Sequence, residues 1–375
     1  MANINSALLF PILPQQLTGI ARLAAQAEHA DEGHLVEFKA LQVRSILNRS
    51  ISKRQLWMAW SINPYRGCEF GCRYCYARYT HEFMAPKAPA SAGGEFVGAS
   101  PITTKTTATT SAVDLRDPET FERLIFLKQN AAWLLEQELR KINPSEEIAL
   151  GTATDPYQPI ERRARITRSL LEVFARKSGY RLGIVTKSRL IERDTDLLTE
   201  IARRNTLVVH ITITTANTEL ARILEPRAPR PDLRFRAVSR LRRAGIRTGI
   251  LCSPLLPGIT DSEEALDGMA RRAAEAGASF FAASPLFLKP CSRPTYLSFV
   301  REHFPSLQQE YAKRFGNADF ATPAYKQEMA QIVGRVCRKY GLGERSKDSL
   351  LPRTGDETRR QPTSARAPAQ RQLFA

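Results

Sequence analysis

The sequence contains no run of 18 apolar residues and few cysteines for its length. A membrane-spanning helix needs about 20 consecutive apolar residues, so the first absence excludes such a helix. No basic segment precedes the short apolar patch near the start, and no clear cleavage pattern follows it. We therefore expect a cytoplasmic protein without a membrane partner. Six cysteines in 375 residues do not suit a disulfide framework, which is typical of short secreted chains.

Acidic residues are scarce beside basic ones. Lys and Arg number 55 and Asp and Glu number 38, which gives a net charge of +17 at pH 7. A surface of this sign attracts polyanions such as nucleic acid, anionic metabolites or acidic partners. No defined nucleic-acid-binding motif accompanies the charge, so nucleic acid is a candidate partner on electrostatic grounds alone.

Short apolar segments alternate with amphipathic ones over most of the chain. We predict six strands, in Trp57 to Ile62 and in the segments EEIALGTAT, RLGIVTKS, TLVVHITITT, IRTGILCSPLLPG and ASFFAASPLFL. Each is followed by a loop or a helix, which is typical of a parallel sheet wound right-handedly. Because six units fall short of the eight of a closed barrel, the predicted fold class is α/β, a partial (β/α)6 TIM-like barrel. A single long helix is also predicted over residues 119–142.

Composition divides the chain into four predicted regions. The first is an N-terminal extension, residues 1–56, which is partly disordered, and the second is the barrel core, residues 57–290. Within the core, residues 84–117 are rich in Ala, Thr, Gly and Pro and are predicted to form an inserted flexible loop. Residues 291–344 are predicted to form C-terminal helices, and the Pro/Arg-rich residues 345–375 a disordered basic tail.

Three of the six cysteines, Cys68, Cys72 and Cys75, fall within eight residues with the spacing C-x3-C-x2-C. Zinc is one alternative, with His81 as the nearest candidate for a fourth ligand, but no second C-x-x-C or H-x-x-x-H follows. A ferredoxin would need a fourth cysteine in the run, which is absent. Three thiolates on one tight loop favour a [4Fe–4S] cluster with one iron open to a chelating ligand. Glycines before the first and second cysteines allow the chain to wrap closely around such a cluster.

This motif, with an aromatic residue before its third cysteine and a predicted strand in front of it, resembles the radical SAM superfamily. Six blocks are similar to the spore photoproduct lyase-related ("DNA repair photolyase"-like) branch: SINPYRGCEFGCRYCYARYTHEF, IALGTATDPYQPIERR, IVTKS, ITITT, LARILEPRAP and LLPGITD. They cover about residues 38–290, in the order of the six predicted β units. The core at 57–290 would then be a radical SAM core.

The resemblance implies an enzyme that uses a [4Fe–4S] cluster and S-adenosylmethionine (SAM). The cluster, reduced by a partner such as flavodoxin or ferredoxin, would cleave SAM to a 5′-deoxyadenosyl radical, which abstracts hydrogen from a substrate. A lyase is one candidate reaction. The thiolates of Cys68, Cys72 and Cys75 would be the cluster ligands.

The same resemblance assigns candidate SAM contacts. Tyr74 would lie against the adenine, and Thr154 and Asp155 would bind the methionyl amino group, because a hydroxyl and a carboxylate suit an ammonium. Lys187 would pair with the methionyl carboxylate.

Further candidates come from the later blocks. Thr212 and Thr214 alternate along one predicted strand and would reach the ribose or the sulfonium. Glu225 and Arg227 would form an internal ion pair near SAM. Tyr76 follows the last cysteine and is a candidate for radical transfer.

One departure from the lyase concerns the return of hydrogen to the product. The lyase uses a cysteine just after its second strand, where this chain has Thr152 or Ala153. An alcohol O–H bond is stronger than a thiol S–H bond and is a poor hydrogen-atom donor, which argues against repair of a thymine dimer by that mechanism. Cys252 could substitute only if its side chain points inward, whereas a buried structural cysteine is the default expectation.

Two alternative functions stay open on the sequence. The first is a nucleic-acid-directed lyase or base-modifying repair enzyme, which the net charge and the resemblance support. The second is a non-enzymatic iron–sulfur sensor or structural cluster protein, in which Lys187, Thr154 and Thr212 would be incidental.

Overall fold

The computed structural model describes residues 19–20, 29–33, 36–49, 58–82, 84, 114–115, 117–344 and 351. Much of the predicted N-terminal extension, nearly all of the predicted inserted loop and the predicted tail other than Leu351 lie outside these residues. The predictions for those segments stay predictions. Within the described residues, no helix is long and apolar enough to cross a bilayer.

Strands and helices alternate through most of the described chain. The strands are β1 (His29–Gly33), β2 (Val36–Leu41), β3 (Leu47–Arg49), β4 (Met58–Ile62), β5 (Tyr65–Arg66), β6 (Leu124–Lys128), β7 (Glu147–Leu150), β8 (Arg181–Thr186), β9 (Thr206–Thr212), β10 (Thr248–Leu255), β11 (Phe280–Pro285) and β12 (Gly343–Glu344). The helices are α1 (Tyr79–Glu82), α2 (Thr120–Arg123), α3 (Ala131–Glu138), α4 (Glu161–Ala164), α5 (Ile166–Ala175), α6 (Thr195–Arg204), α7 (Thr218–Leu224), α8 (Pro231–Arg243), α9 (Glu263–Glu275), α10 (Arg293–His303), α11 (Gln308–Phe315) and α12 (Pro323–Lys339).

The core is an eight-stranded sheet with the strand order β12-β11-β10-β9-β8-β7-β4-β3. Within this sheet, the neighbouring strands among β4 and β7 to β12 all pair in parallel. At the edge, β3 pairs with β4 in the antiparallel sense. The six predicted strands are β4 and β7 to β11, in the predicted spatial order. Among the described residues, β12 and β3 are the two edge strands of this sheet and do not pair with each other. The predicted α/β partial barrel is confirmed.

Burial on both faces explains why most residues of the central strands are apolar. Every residue of β7 is buried, and β9 is buried from Leu207 to Thr212. Because the strands are parallel, their carboxyl ends meet at one edge of the sheet. That edge carries the residues that the sequence analysis selected.

The single helix predicted over residues 119–142 is wrong. A strand, β6, interrupts it and separates α2 from α3. All five residues of β6 are buried, and it pairs in parallel with β2 from Glu37↔Leu124 to Leu41↔Lys128. This pairing with a distant segment overrides the helical pattern of the local sequence. The resulting four-stranded sheet, β1-β2-β6-β5, leads directly into the cysteine loop.

The C-terminal helices pack against the cysteine loop. Phe70 and Tyr74 of the loop belong to one buried cluster with Tyr296, Phe299 and Tyr311. This apolar contact holds the loop against the remainder of the protein and keeps it in one place at the edge of the barrel.

Leu351 is the one described residue of the segment predicted as a disordered tail. It is 2% exposed and packs with Val208, Leu251 and Phe280, on three neighbouring strands. Leu251 also lines the cavity described below. The contact therefore lies on the inner face of the partial barrel.

We expect Leu351→Ala to lower the free energy of unfolding by about 2 kcal/mol or more, because a buried leucine loses its apolar contacts and leaves a cavity. Urea denaturation measures the change. Leu373→Ala, in the region predicted from sequence to be disordered, is the control and should leave the value within about 0.5 kcal/mol. Equal values for the two variants would contradict burial of Leu351.

Candidate functional site

A cavity of about 390 Å³ lies at the carboxyl ends of the parallel strands. Cys68, Cys72 and Cys75 all line it. Other lining residues belong to the ends of β7 to β11 or directly follow them: Thr152, Thr154, Asp155, Lys187, Thr212, Ser253 and Ser284. The cavity is large enough for a small ligand, and it brings the predicted cysteines and most of the predicted SAM contacts to one place.

Tight backbone geometry shapes the cysteine loop. The Cys75 N–H donates to the Cys72 carbonyl at 3.1 Å. Gly67 has φ of +87°, and a Cβ at this position would lie 2.7 Å from the Leu124 carbonyl oxygen. Only glycine fits so close to the neighbouring backbone with a left-handed conformation. The loop therefore bends sharply enough to present all three thiols to one cavity.

Burial sets the protonation of the thiols. It raises the pKa of Cys68 well above its usual value and raises the pKa of Cys72 to about 12. At Cys72 the charge of Lys187 acts in the opposite direction, and that of Glu225 adds to the rise. These two thiols are neutral near pH 7 in the protein alone, so a metal that binds them must displace their protons.

His81 does not join the cysteines. It is 1% exposed, its Nε2 lies 3.0 Å from the Leu124 carbonyl oxygen, and its ring packs edge-on against Phe121 and Phe126. Burial lowers the pKa of His81 to about 4. Among the described residues, no group of three or more His, Cys, Asp or Glu converges closely enough to hold a single metal ion. A zinc site with His81 as the fourth ligand is therefore not what the structure contains.

A buried polar network supports the cavity at Tyr74. The Tyr74 hydroxyl donates to Glu225 and lies 2.8 Å from the Thr214 hydroxyl. Glu225 pairs with Arg234, and their side chains are only 2% and 1% exposed. Burial alone would raise the pKa of Glu225, but the charges of Arg234 and Lys187 lower it below its usual value. Glu225 is therefore an ionised carboxylate in the protein interior.

The predicted ion pair between Glu225 and Arg227 is wrong, because the partner of Glu225 is Arg234. Arg227 pairs with Glu122 and donates to the backbone carbonyl of Glu69. Arg234 replaces it at Glu225 because the chain turns at the intervening proline and sends Arg227 to the outside of the cysteine loop. Arg227 thus supports the loop from behind and does not line the cavity.

Thr154 and Asp155 line the cavity, and both also connect neighbouring strand ends. The Thr154 hydroxyl donates to the Gly67 carbonyl at 2.6 Å. Asp155 accepts from the Thr186 hydroxyl and from the Lys187 backbone N–H, each at 2.7 Å. These contacts hold the segment after β7 against the cysteine loop and the end of β8. The same oxygen that accepts from Thr186, Oδ1, also accepts from the Tyr157 backbone N–H at 2.9 Å, so the lone pair left for a further donor is on Oδ2.

Lys187 directly follows β8, and its Nζ lies 5.6 Å from the centre of the Tyr74 ring. Burial opposes its charge, but the negative charges of Cys72, once it is deprotonated, and of Glu225 more than offset this and raise the pKa of Lys187. Across the part of the chain that the structure describes, Lys187 makes no ion pair within 4 Å. A charged ammonium at the cavity wall is therefore available to an anionic group of a ligand.

The two predicted threonines separate in the structure. Thr212 ends β9 and lines the cavity, and its carbonyl accepts from Arg234 at 3.1 Å. Thr214 lies beyond the strand and outside the lining, with its hydroxyl 3.0 Å from the Glu225 carboxylate. Thr214 does not line the cavity, because the chain leaves the strand before it and turns its side chain into the buried network.

Tyr76 lines the cavity beside Thr152. Its hydroxyl donates to the Thr152 carbonyl, and its ring centroid lies 4.9 Å from that of Phe287. Burial raises the pKa of Tyr76, so the phenol stays protonated at neutral pH.

Cys252 points away from the cavity. Its neighbours Leu251 and Ser253 line the cavity, and alternation along β10 places Cys252 on the other face. It is 1% exposed, and its Sγ lies 3.6 Å from the Thr214 carbonyl oxygen. The default expectation of a buried structural cysteine is confirmed.

Sequence reasoning missed Arg234, which neutralises Glu225. A signal was present, because Arg234 lies four residues before Val238 and seven before Leu241, on the buried stripe of α8. An arginine on an apolar stripe needs a buried partner. Which carboxylate would meet it depends on the fold.

Comparison with known proteins gives the chain a family. The model of the radical SAM superfamily matches residues 62–269. An uncharacterized protein of Mycobacterium tuberculosis is 29% identical over 336 residues, which cover 88% of this chain and 89% of that protein. An uncharacterized protein of Methanocaldococcus jannaschii is 27% identical over 202 residues, which cover 54% of this chain and 62% of that one.

Solved structures of spore photoproduct lyase resemble this structure. A mutant with bound AdoMet and dinucleoside spore photoproduct gives a TM-score of 0.55 at 14% identity, covering 82% of this chain and 80% of that one. The lyase complexed with dinucleoside spore photoproduct gives a TM-score of 0.54 at the same identity and coverage. At this identity the likeness shows a shared fold. The match over residues 62–269, more than half of the chain, shows that this protein belongs to the radical SAM superfamily.

Proposed function

We propose that the protein is a radical SAM enzyme that holds a [4Fe–4S] cluster on Cys68, Cys72 and Cys75. One observation carries the proposal: three thiols from a single loop line the same cavity as the ammonium of Lys187, which makes no ion pair with any described residue. The substrate would enter this cavity beside SAM and lose a hydrogen atom there. A reductant such as flavodoxin or ferredoxin would supply electrons.

The residues present fit this cofactor. A cubane cluster accepts one thiolate at each of three irons, and the cysteine loop offers three thiols at one cavity wall. Gly67 lets the loop lie against the backbone of Phe121 and Leu124, where a Cβ would clash with their carbonyl oxygens. Lys187 offers an opposite charge beside the ligands. When bound, the reduced cluster supplies the electron that cleaves the sulfonium bond of SAM, giving methionine and a 5′-deoxyadenosyl radical.

In this proposal the protein orients SAM by its charges. The Lys187 ammonium binds the methionyl carboxylate, and the carboxylate of Asp155 and the hydroxyl of Thr154 accept from the methionyl ammonium. Because Asp155 also accepts from the Lys187 backbone N–H, one side chain keeps both binding groups at a constant spacing. Thr212 faces the same space, and the Tyr74 ring lies beside Lys187.

Apolar side chains form much of the remaining wall: Phe70, Phe121, Leu251, Leu286 and Phe287. They exclude water, which would otherwise weaken the charge contacts. No cysteine other than the three proposed ligands is among the described lining residues. Hydrogen return by a fourth thiol therefore receives no support, and the Tyr76 hydroxyl, which donates to the Thr152 carbonyl, lies beside the position predicted for the lyase cysteine.

The decisive test is anaerobic reconstitution with iron and sulfide, followed by an assay for 5′-deoxyadenosine with dithionite and SAM. We expect iron near four atoms per chain, in line with one bound [4Fe–4S] cluster, and formation of 5′-deoxyadenosine. A loaded cluster that neither binds SAM in isothermal titration nor cleaves it would favour the sensor or structural alternative instead.

Lys187→Met should weaken SAM binding to the cluster-loaded protein by about tenfold or more. A charge-assisted hydrogen bond contributes about 1.5–3 kcal/mol, and 1.4 kcal/mol is tenfold in Kd. Isothermal titration measures the change, with iron content as a check on loading. Lys339→Met removes an exposed lysine outside the cavity and should leave Kd unchanged. Unchanged affinity in Lys187→Met would refute the role of this ammonium.

A further inference from the structure

A second cavity, of about 760 Å³, lies beside the thiol-lined one. Its lining comes from the segments that follow β7 and β8 and from the start of α8. Phe70 of the cysteine loop lines both cavities, so its side chain forms a shared wall. A ligand in the second cavity would therefore lie next to a ligand in the first.

The second cavity carries an excess of positive charge. Its charged lining residues are Arg162, Arg189, Arg193, Arg227 and Glu192. The one carboxylate among them, Glu192, is already paired with Arg240, which lies outside the lining. The carboxylate in the wall therefore does not neutralise the arginines beside it.

Two of the four arginines in this lining form ion pairs with carboxylates of the described residues, and two do not. Arg193 pairs with Glu161 and with Asp194, and Arg227 pairs with Glu122. Arg162 and Arg189 are exposed, and neither has a carboxylate within 4 Å in the described portion of the chain. Two uncompensated guanidinium groups thus remain at one cavity.

We propose that this cavity, which we call the arginine cavity, binds a phosphate group of the substrate whose reacting part lies in the thiol-lined cavity. A guanidinium presents its donors in a planar fork that matches phosphate oxygens. A phosphate monoester carries close to two negative charges at pH 7, and so do two successive phosphodiesters. Either group would balance the two positive charges of Arg162 and Arg189. The net charge of +17 favours approach of such an anion.

The proposal deepens the proposed function by naming the substrate class, and it rests on that function only for what happens in the first cavity. Anion binding by Arg162 and Arg189 needs no cluster and no SAM. It can therefore be measured separately from radical chemistry, and each idea can fail without the other.

The test compares Arg162→Ala/Arg189→Ala with a control of equal charge loss, Arg140→Ala/Arg243→Ala. The control residues are exposed and line neither cavity. Binding of a short fluorescein-labelled single-stranded oligonucleotide is followed by anisotropy at several salt concentrations. Inorganic phosphate is titrated by calorimetry. Loss of two phosphate contacts should reduce the slope of log K against log salt by about 1.4 and weaken binding about tenfold or more.

The two probes distinguish the sources of the phosphate. A selective loss of oligonucleotide affinity in the Arg162/Arg189 variant supports a nucleic-acid substrate. A selective loss for inorganic phosphate alone supports a small phosphorylated substrate at the same cavity. Equal behaviour of the two double variants with both probes overturns the proposal. The Arg162/Arg189 variant should cleave SAM in the absence of substrate at the wild-type rate. If the wild-type protein itself did not cleave SAM, that result would count against the proposed function only.

Discussion

Replacing Cys72 by alanine should abolish formation of 5′-deoxyadenosine and leave most chains without a cluster after anaerobic reconstitution. Cys72 is the central thiol of three, and no other cysteine among the described lining residues can take its place. Removing a residue that only supports a metal ligand costs 10–100-fold in affinity or activity. Loss of a ligand itself should therefore cost at least about 100-fold in both. Iron analysis, the visible absorption of the loaded protein and the 5′-deoxyadenosine assay report on the change.

Cys291→Ala is the matched control for this prediction. Cys291 is also a free, partly buried cysteine, its Sγ lies 3.6 Å from the Ser292 hydroxyl, and it does not line the cavity. The control should retain wild-type iron and activity. If Cys72→Ala also retained them, the three thiols would not be the cluster ligands.

Glu225→Ala should lower the free energy of unfolding by about 3–5 kcal/mol, because it leaves the guanidinium of Arg234 buried without a counter-charge. Arg234 is 1% exposed, so water cannot solvate the charge that remains. The Tyr74 hydroxyl also loses the acceptor that orients it. Urea denaturation of the cluster-free protein measures the loss of stability apart from any effect on the cluster.

Two control variants distinguish the cost of leaving a buried charge unpaired from the cost of losing any carboxylate. Glu263→Ala breaks the exposed pair with Arg335, whose side chains are 57% and 49% exposed, and should cost no more than about 1 kcal/mol. Glu225→Met/Arg234→Met replaces the whole buried pair with apolar side chains and should recover much of the loss. A cost in Glu225→Ala no larger than that in Glu263→Ala would contradict a buried, ionised pair.

Local sequence patterns predicted those features of the structure that depend on residues close together along the chain. The six strands were predicted correctly because strands buried on both faces are mostly apolar, and short apolar runs are visible in a short stretch of sequence. The cysteine spacing indicated that the three thiols meet at one place, and they line one cavity because all three belong to one short loop. The inward direction of Leu251 and the outward direction of Cys252 follow from alternation along a strand.

Errors arose where distant residues decide the outcome. Residues 124–128 have a helical pattern and become a strand because β2 offers an edge to pair with. Glu225 has Arg227 two positions away and pairs with Arg234 instead, because α8 turns Arg234 toward the interior. Thr214 follows the alternation of its segment but lies beyond the end of β9.

The sequence by itself determined the superfamily, the order of the parallel strands and the three thiols, since each depends on residues that are neighbours along the chain. Only the tertiary structure decided that Lys187 makes no ion pair with any of the described residues, that Arg234 neutralises Glu225, and that a second, arginine-lined space adjoins the first. Ion pairs and cavities arise between segments that meet after folding, and electrostatic energy depends on those distances and on burial. Spacing along the chain carries neither quantity.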